Sequence, residues 1–194
     1  MIHNPVLVPE PGAASDREVN VILGLNRLEP LKGTYDLLQA VAALVERRPG
    51  IRLRLGGDGE IDAVRARIAE LGLQRHVELL GWVGPQQRER ELARAGIYAL
   101  PSYREAMPMG VLEAMAAGLP VVATAVGGIP DMIDDGIEGR LLPPGAVAAL
   151  VAALESLLDA PDCARAMGEA ARLRVVHDFS AQAIVPRLEA LYAT

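Results

Sequence analysis

Short apolar segments alternate with helical segments along most of this 194-residue sequence. Val19 to Gly24 is the first such segment, and Lys32 to Arg48 then carries apolar residues at helical spacing until Pro49. Because parallel strands are joined by crossovers that are usually helical, the alternation predicts an α/β fold, a Rossmann-like parallel sheet of about six strands with flanking helices. The predicted strands are residues 19–24, 51–55, 76–80, 97–100, 121–124 and 139–142.

The two ends of the sequence differ from this alternating pattern. Residues 1–18 contain three prolines among small polar residues, which predicts an extended lead-in or interdomain linker before a domain over residues 19–194. After the last strand, the periodicity predicts extra C-terminal helices over residues 146–158, 162–177 and 181–192. The length suits one domain with a substantial core.

Composition argues against several classes of function. The net charge of −6 disfavours general binding to nucleic acid or anionic lipid. Cys163 is the single cysteine, so the sequence offers neither a disulfide framework nor a thiolate metal cluster. No signal-peptide pattern opens the sequence, and no apolar run approaches the ~18 residues of a transmembrane helix. We therefore expect a cytoplasmic protein without a transmembrane segment, with peripheral membrane association left open for a longer protein.

The glycine-rich loops follow the predicted strands. In an open parallel sheet the carboxyl ends of the strands lie at one edge, and ligands bind there. The sequence therefore predicts one binding rim for all these loops. The loops are residues 24–32, 56–59, 81–84, 101–108 and 124–128.

Two glutamates flank a predicted helix start on this rim. A helix is expected to begin at Pro108, because proline at the first helical position gives up only an N–H that has no partner there. Glu105 precedes this helix and Glu113 lies in its second turn. Unpaired amides at a helix start bind anions, whereas carboxylates suit hydroxyl groups on either side of a phosphate. The arrangement predicts a nucleotide-sugar site.

The same residues resemble a known family. The Glu-x7-Glu pair, the segment 118–123 and the turn Gly127-Gly128 resemble the donor-binding half of a retaining glycosyltransferase of the GT-B type, family 4 or group 1. The resemblance implies that Glu105 is the catalytic residue that meets the donor sugar and that Glu113 meets the ribose. It also implies that sugar and diphosphate meet the backbone amides of Met109, Gly110 and Val111. The family more often has Gly-Phe or Gly-Leu directly after the first glutamate, where this sequence has residues 106–107, Ala-Met.

Two cations are candidates for holding the diphosphate. A departing nucleoside diphosphate develops negative charge. Without a metal, this charge must be stabilised by Arg and Lys side chains and by helix-terminal amides. Arg27 and Lys32 resemble the family's Arg-Leu-x3-Lys-Gly motif, whose cations hold the diphosphate. The alternative is a solvated loop arginine and a lysine at a helix start, although a cation there opposes the helix dipole.

Three further loops are weaker candidates. Gly57 lies in a tight strand-to-helix turn, where a plain turn is at least as probable as a ligand contact, and the acidic residues that follow are assigned no metal. Residues 80–84 resemble the family's nucleobase loop, which implies contacts by Trp82 and Val83. Trp82 suits stacking on a base and packing at a strand end equally well. Gly127-Gly128 is expected to allow close backbone approach near the helix.

The resemblance implies half of an enzyme. Residues 2–6 resemble the junction between the two GT-B domains, so we expect an N-terminal acceptor domain to be missing from this sequence. The expected partner is a nucleoside diphosphate sugar, such as a UDP-sugar or GDP-sugar, with no further cofactor. The predicted reaction is sugar transfer to an acceptor hydroxyl with retention, and the isolated half is expected to be inactive. A nucleotide-sugar epimerase, a glucan phosphorylase or synthase, or a non-catalytic binding module remains as an alternative.

Overall fold

The computed structural model describes residues 5–9 and 17–192. Six strands form one sheet in the order β3-β2-β1-β4-β5-β6, and every neighbouring pair is parallel. This confirms the predicted Rossmann-like parallel sheet. The strand order reverses between β1 and β4, which is the topological switch point of the sheet. The strands are β1 Glu18–Leu25, β2 Arg52–Gly56, β3 Val77–Gly81, β4 Ala95–Leu100, β5 Val121–Thr124 and β6 Gly139–Leu142.

Helices cover both faces of the sheet. Successive strand residues point to opposite faces, so Ile22 faces one apolar layer while Leu23 faces the other. The first layer is formed by α1, α2, α6 and the start of α7, and the second by α3, α4, α5 and the rest of α7. Both faces of the strands are therefore apolar, as expected of a parallel sheet. The helices are α1 Thr34–Val45, α2 Ile61–Glu70, α3 Pro85–Arg94, α4 Met109–Ala116, α5 Ile129–Met132, α6 Val147–Asp159, α7 Pro161–Asp178 and α8 Ala181–Tyr192.

Two helix starts on the rim differ from the prediction. The helix predicted from Lys32 is divided into a 3-10 turn, Pro30–Lys32, and α1. Gly33 separates them with a φ of 68°, and a Cβ there would lie 2.0 Å from the carbonyl oxygen of Pro101. The close approach of the loop after β4 thus requires glycine and ends the 3-10 turn. The helix predicted from Pro108 begins one residue later, because Pro108 keeps an extended backbone.

Part of the predicted linker packs against the domain. Val6 is buried, and its amide donates to the carbonyl oxygen of Phe179 at 2.9 Å. Strand β1 also begins one residue inside the predicted linker, at Glu18. The rest of that linker prediction, residues 1–4 and 10–16, lies outside the described residues. Among the helices of the described chain, none is both long and apolar enough to cross a membrane.

Candidate functional site

The loops after β1 and β4 meet at the switch point. Lys32 ends the 3-10 turn that follows β1, and Glu105 lies in the loop that follows β4. The Lys32 Nζ donates to Glu105 Oε1 at 2.8 Å, across 73 residues of sequence. The amide of Tyr103 donates to the carbonyl oxygen of Leu31 at 2.9 Å, which fixes the two loops against each other. The structure therefore brings together two residues that the sequence analysis placed in separate motifs.

Glu105 has one carboxylate oxygen occupied and one unbonded. Its side chain is only 7% exposed. Oε1 accepts from Lys32 and from the Ser102 hydroxyl, the latter at 2.7 Å. Ser102 is fixed in turn, because its carbonyl oxygen accepts from the Thr124 hydroxyl at the end of β5. Within residues 5–9 and 17–192 no donor contacts Oε2, so this oxygen can accept from a ligand hydroxyl.

The Gly127-Gly128 turn holds the backbone that carries Glu105. The Gly128 amide donates to the carbonyl oxygen of Ala106 at 2.8 Å. Gly127 has a φ of 56°, and a Cβ there would lie 1.8 Å from the carbonyl oxygen of Glu105. The predicted close backbone approach is confirmed, although the turn approaches the Glu105 loop and not the helix itself.

The first turn of α4 presents backbone amides beside this loop. No acceptor in the described part of the chain contacts the amides of Met109 and Gly110. The amide of Val111, predicted for the same role, donates to the carbonyl oxygen of Pro108 at 3.0 Å. The unpaired amides and the helix dipole together favour an anion at this point.

Tyr98 places the α4 start close to β1. Its buried hydroxyl donates to the carbonyl oxygen of Leu25 at 3.1 Å, and a Cβ on Gly110 would lie 2.5 Å from that hydroxyl. Burial raises the pKa of Tyr98, so the group stays a neutral donor. Glycine at position 110 is therefore explained by packing over Tyr98 as well as by ligand access.

Glu113 is paired with an arginine that the sequence analysis missed. Arg88 Nη1 donates to Glu113 Oε2 at 2.6 Å, and the two side chains are 38% and 28% exposed. Arg88 lies in the first turns of α3, which starts at Pro85 just after β3. In the sequence, only its position near the start of a helix on the rim pointed to Arg88 as a site residue. The pair borders an open groove of about 520 Å³, whose other lining includes Leu92 and Ala117.

Arg27 lies apart from these contacts. Its side chain is 63% exposed, and its Nε contacts Glu29 Oε2 at 3.2 Å. The preceding residue, Asn26, was not a sequence candidate. Its Oδ1 is buried and has no partner among the described residues. The available signal for Asn26 was its position directly after β1 at the switch point.

The weaker candidates occupy the β2 and β3 side of the rim. Gly57 is required by close approach, because a Cβ there would lie 1.8 Å from the carbonyl oxygen of Asn26. Val83 is buried in the core layer, whereas Trp82 is 75% exposed. Packing in the core therefore does not explain the position of Trp82. Stacking on a base stays a prediction.

The chain matches known proteins over most of its length. The family model described as "Glycosyl transferases group 1" matches residues 11–174. A D-inositol 3-phosphate glycosyltransferase of Corynebacterium aurimucosum is 37% identical over 180 residues. That match covers 89% of this chain and 42% of the relative. The chain thus spans less than half the length of this relative.

Solved structures of similar proteins share the fold. Sucrose-phosphate synthase from Thermosynechococcus elongatus superposes with a TM-score of 0.83 at 28% identity, over 91% of this chain and 45% of that one. Anabaena HepE, solved with UDP-glucose, gives a TM-score of 0.83 at 25% identity, over 91% of this chain and 50% of that one. These matches confirm that the sheet and its helices form one half of a GT-B architecture.

Proposed function

The chain belongs to the family of group 1 glycosyl transferases, and on that premise we propose that it is the donor-binding half of a retaining glycosyltransferase. The donor is a nucleoside diphosphate sugar, such as a UDP-sugar or GDP-sugar. A second domain, on the other side of the cleft, supplies the acceptor pocket. In the reaction the bond between the anomeric carbon of the sugar and the diphosphate oxygen breaks, and the nucleoside diphosphate leaves with the electron pair. The acceptor hydroxyl oxygen bonds to the same carbon with retention, and its proton passes to the leaving diphosphate.

The contact between Lys32 and Glu105 carries the proposal. A cation and a buried carboxylate meet at the switch point, where open parallel sheets bind ligands. The open oxygen of Glu105 suits a sugar hydroxyl, while the Lys32 ammonium and the amides of Met109 and Gly110 suit the diphosphate. HepE, which has this architecture, was solved with UDP-glucose, and that supports a ligand of this class.

The residues then have complementary roles. Glu105 orients the donor sugar, and Glu113 accepts from the ribose hydroxyls. Lys32, with Arg27 after a change of its side-chain rotamer, stabilises the charge that develops on the leaving diphosphate. Fixed donors stabilise such charge effectively because they need little reorganisation during the reaction.

Nucleotide binding provides a direct test. We expect at least one of UDP, GDP and ADP to raise the melting temperature of the 194-residue chain. Glu113→Gln should reduce that shift, whereas Glu105→Gln should mainly weaken binding of the sugar-bearing donor. Glu70→Gln, on exposed α2, is the matched control and should leave the shift intact. If all three nucleotides leave the melting temperature unchanged, the proposal is wrong.

The lysine content of the chain allows a second, local test. Lys32 is the only lysine in the sequence, so an amine-acylating reagent modifies Lys32 and the α-amino group alone. A bound diphosphate should slow acylation of Lys32 and leave the α-amino group unaffected as an internal reference. Equal rates at Lys32 with and without a nucleotide that binds would contradict its role at the diphosphate.

The chain alone is expected to transfer little sugar. Rate enhancement depends on holding donor and acceptor together in a cleft that excludes water, and the described residues form one side of it. A radiolabelled donor offered with simple acceptors should show at most slow hydrolysis. Robust transfer by the purified chain would contradict this expectation.

A further inference from the structure

We propose that Arg88 is a positioning residue that gives the nucleotide site its selectivity for ribose. Arg88 holds the carboxylate of Glu113 in the orientation that accepts both hydroxyls of the ribose. This inference rests on the proposed function, because it assumes that Glu113 is the ribose carboxylate. It adds a residue, a mechanism and a measurable selectivity to that site.

The geometry singles out Arg88. The Arg88 Nη1 to Glu113 Oε2 distance of 2.6 Å is that of a short, charge-assisted hydrogen bond. Arg88 comes from α3 and Glu113 from α4, so the bond also joins the two helices that follow β3 and β4. Within the described residues no other side chain donates to Glu113. Its orientation therefore depends on Arg88.

The hydrogen-bonding capacity of Glu113 leaves room for a ribose. An ionised carboxylate has about four lone-pair sites, and Arg88 occupies one of them on Oε2. Oε1 has no donor among the described residues. The two vicinal hydroxyls of a ribose can thus donate to the two oxygens while Arg88 stays in place. Without Arg88, the Glu113 side chain, which is 28% exposed, would instead sample several rotamers and would lose conformational entropy on binding.

The location of Arg88 favours a role in ligand binding over a role in stability. Its side chain is 38% exposed and borders the open groove, so solvent partly screens the pair and its contribution to stability is small. An arginine in this setting costs little to remove from the folded chain. Its removal should instead weaken the binding of a ligand that contacts Glu113.

The test compares ribonucleotides with 2′-deoxyribonucleotides. Dissociation constants are measured by calorimetry for UDP, GDP and ADP and for dUDP, dGDP and dADP. The wild-type chain should favour the ribonucleotide of its preferred base by at least about tenfold, the lower end of what one hydrogen bond to a charged group contributes. Arg88→Met should reduce this preference to about twofold, mainly by weakening the ribonucleotide, and Arg88→Lys should restore part of it.

Controls separate the inference from the proposed function. Arg90→Met alters an exposed arginine of the same helix that contacts no carboxylate in the described chain, and it should keep the full preference. Melting temperatures identify a variant that is merely unfolded. If no nucleotide binds the wild-type chain, the proposed function and the inference both fail. If nucleotides bind and Glu113→Gln loses the preference while Arg88→Met keeps it, the inference alone is wrong.

Discussion

The two ends of the sheet use the same types of charged side chain in different ways. At the carboxyl rim, Glu105 and Glu113 each have one partner cation and one oxygen without a donor in the described chain. Towards the amino-terminal end, Arg54 from the middle of β2 contacts three glutamates, Glu18, Glu78 and Glu91. The rim thus keeps hydrogen-bonding capacity for a ligand, whereas the opposite end uses its capacity within the fold.

Arg17 and Arg172 extend this contrast. Arg17 donates to the carbonyl oxygens of Leu92, Ala95 and Ala117, near the ends of α3 and α4. Arg172 donates to the carbonyl oxygen of Ala116. Unpaired carbonyl groups at helix ends favour cations just as amides at helix starts favour anions. A binding site is therefore recognised by groups left unpaired, not by charge alone.

The largest effect is expected where the rim depends on backbone contact. Gly127→Ala should destabilise the chain by roughly 2–5 kcal/mol, because a left-handed alanine is strained and its Cβ meets the carbonyl oxygen of Glu105. Gly72→Ala is the control, with a φ of 70° and no atom within 4 Å, and should cost about 1–2 kcal/mol. Urea unfolding measures both. Equal losses of stability in the two variants would show that the left-handed backbone conformation decides the cost, and that the contact with the Glu105 carbonyl does not.

The amino-terminal end should respond in stability alone. Arg17→Met leaves three carbonyl groups without their donor and should cost about 2–3 kcal/mol in urea unfolding. Burial also lowers the pKa of Arg17, which fits a side chain held inside the fold. Arg17 lines the groove that Arg88 and Glu113 border, but its guanidinium nitrogens donate to backbone carbonyl groups, so nucleotide affinity should change little. A loss of affinity without a loss of stability would break the contrast between the two ends.

The matching change on the rim should act mainly on binding. Lys32→Met removes a cation from the proposed diphosphate site and should weaken nucleotide affinity by about 10- to 100-fold. Its cost in stability should be about 1 kcal/mol, because the Ser102 hydroxyl still donates to Glu105. Calorimetry and urea unfolding measure the two effects. A stability loss as large as that of Arg17→Met would show that the contact between Lys32 and Glu105 serves the stability of the fold.

The smallest effect concerns a hydrogen bond at the edge of the rim. The Tyr35 hydroxyl donates to Glu60 Oε2 at 2.7 Å, and this bond raises the pKa of Tyr35 to about 12 from 10.0. Because the folded-state pKa is raised, the stabilisation is complete below pH 10 and is lost as pH rises towards 12. Phenolate absorbance during an alkaline titration should include late steps from Tyr35 and from buried Tyr98, and Tyr35→Phe should lower the late amplitude by one tyrosine.

Glu60→Gln tests the cause of that late step. Without the Glu60 carboxylate, Tyr35 should titrate closer to its ordinary pKa, while Tyr103, whose hydroxyl donates to Asp36, should not change. A Tyr35 titration that stays late in this variant would assign the shift to burial.

The sequence determined the fold class and most elements because the signals for them are local. Apolar periodicity identified all six strands, and β5 and β6 have the predicted bounds. The start of α1 could not be predicted, because the position of Gly33 is set by Pro101 from a distant loop. The motif residues were recognised by spacing, which does not say where side chains point, as Arg27 illustrates.

Only the tertiary structure decided which residues meet. The order of the strands brings the loop after β1 against the loop after β4, so Lys32 reaches Glu105 across 73 residues. Packing of α3 beside α4 likewise pairs Arg88 with Glu113. The pair of glutamates, the rim and the family resemblance can all be recognised from local sequence patterns. Their partners, and the oxygens left open to a ligand, depend on strand order and loop packing, which no local pattern encodes.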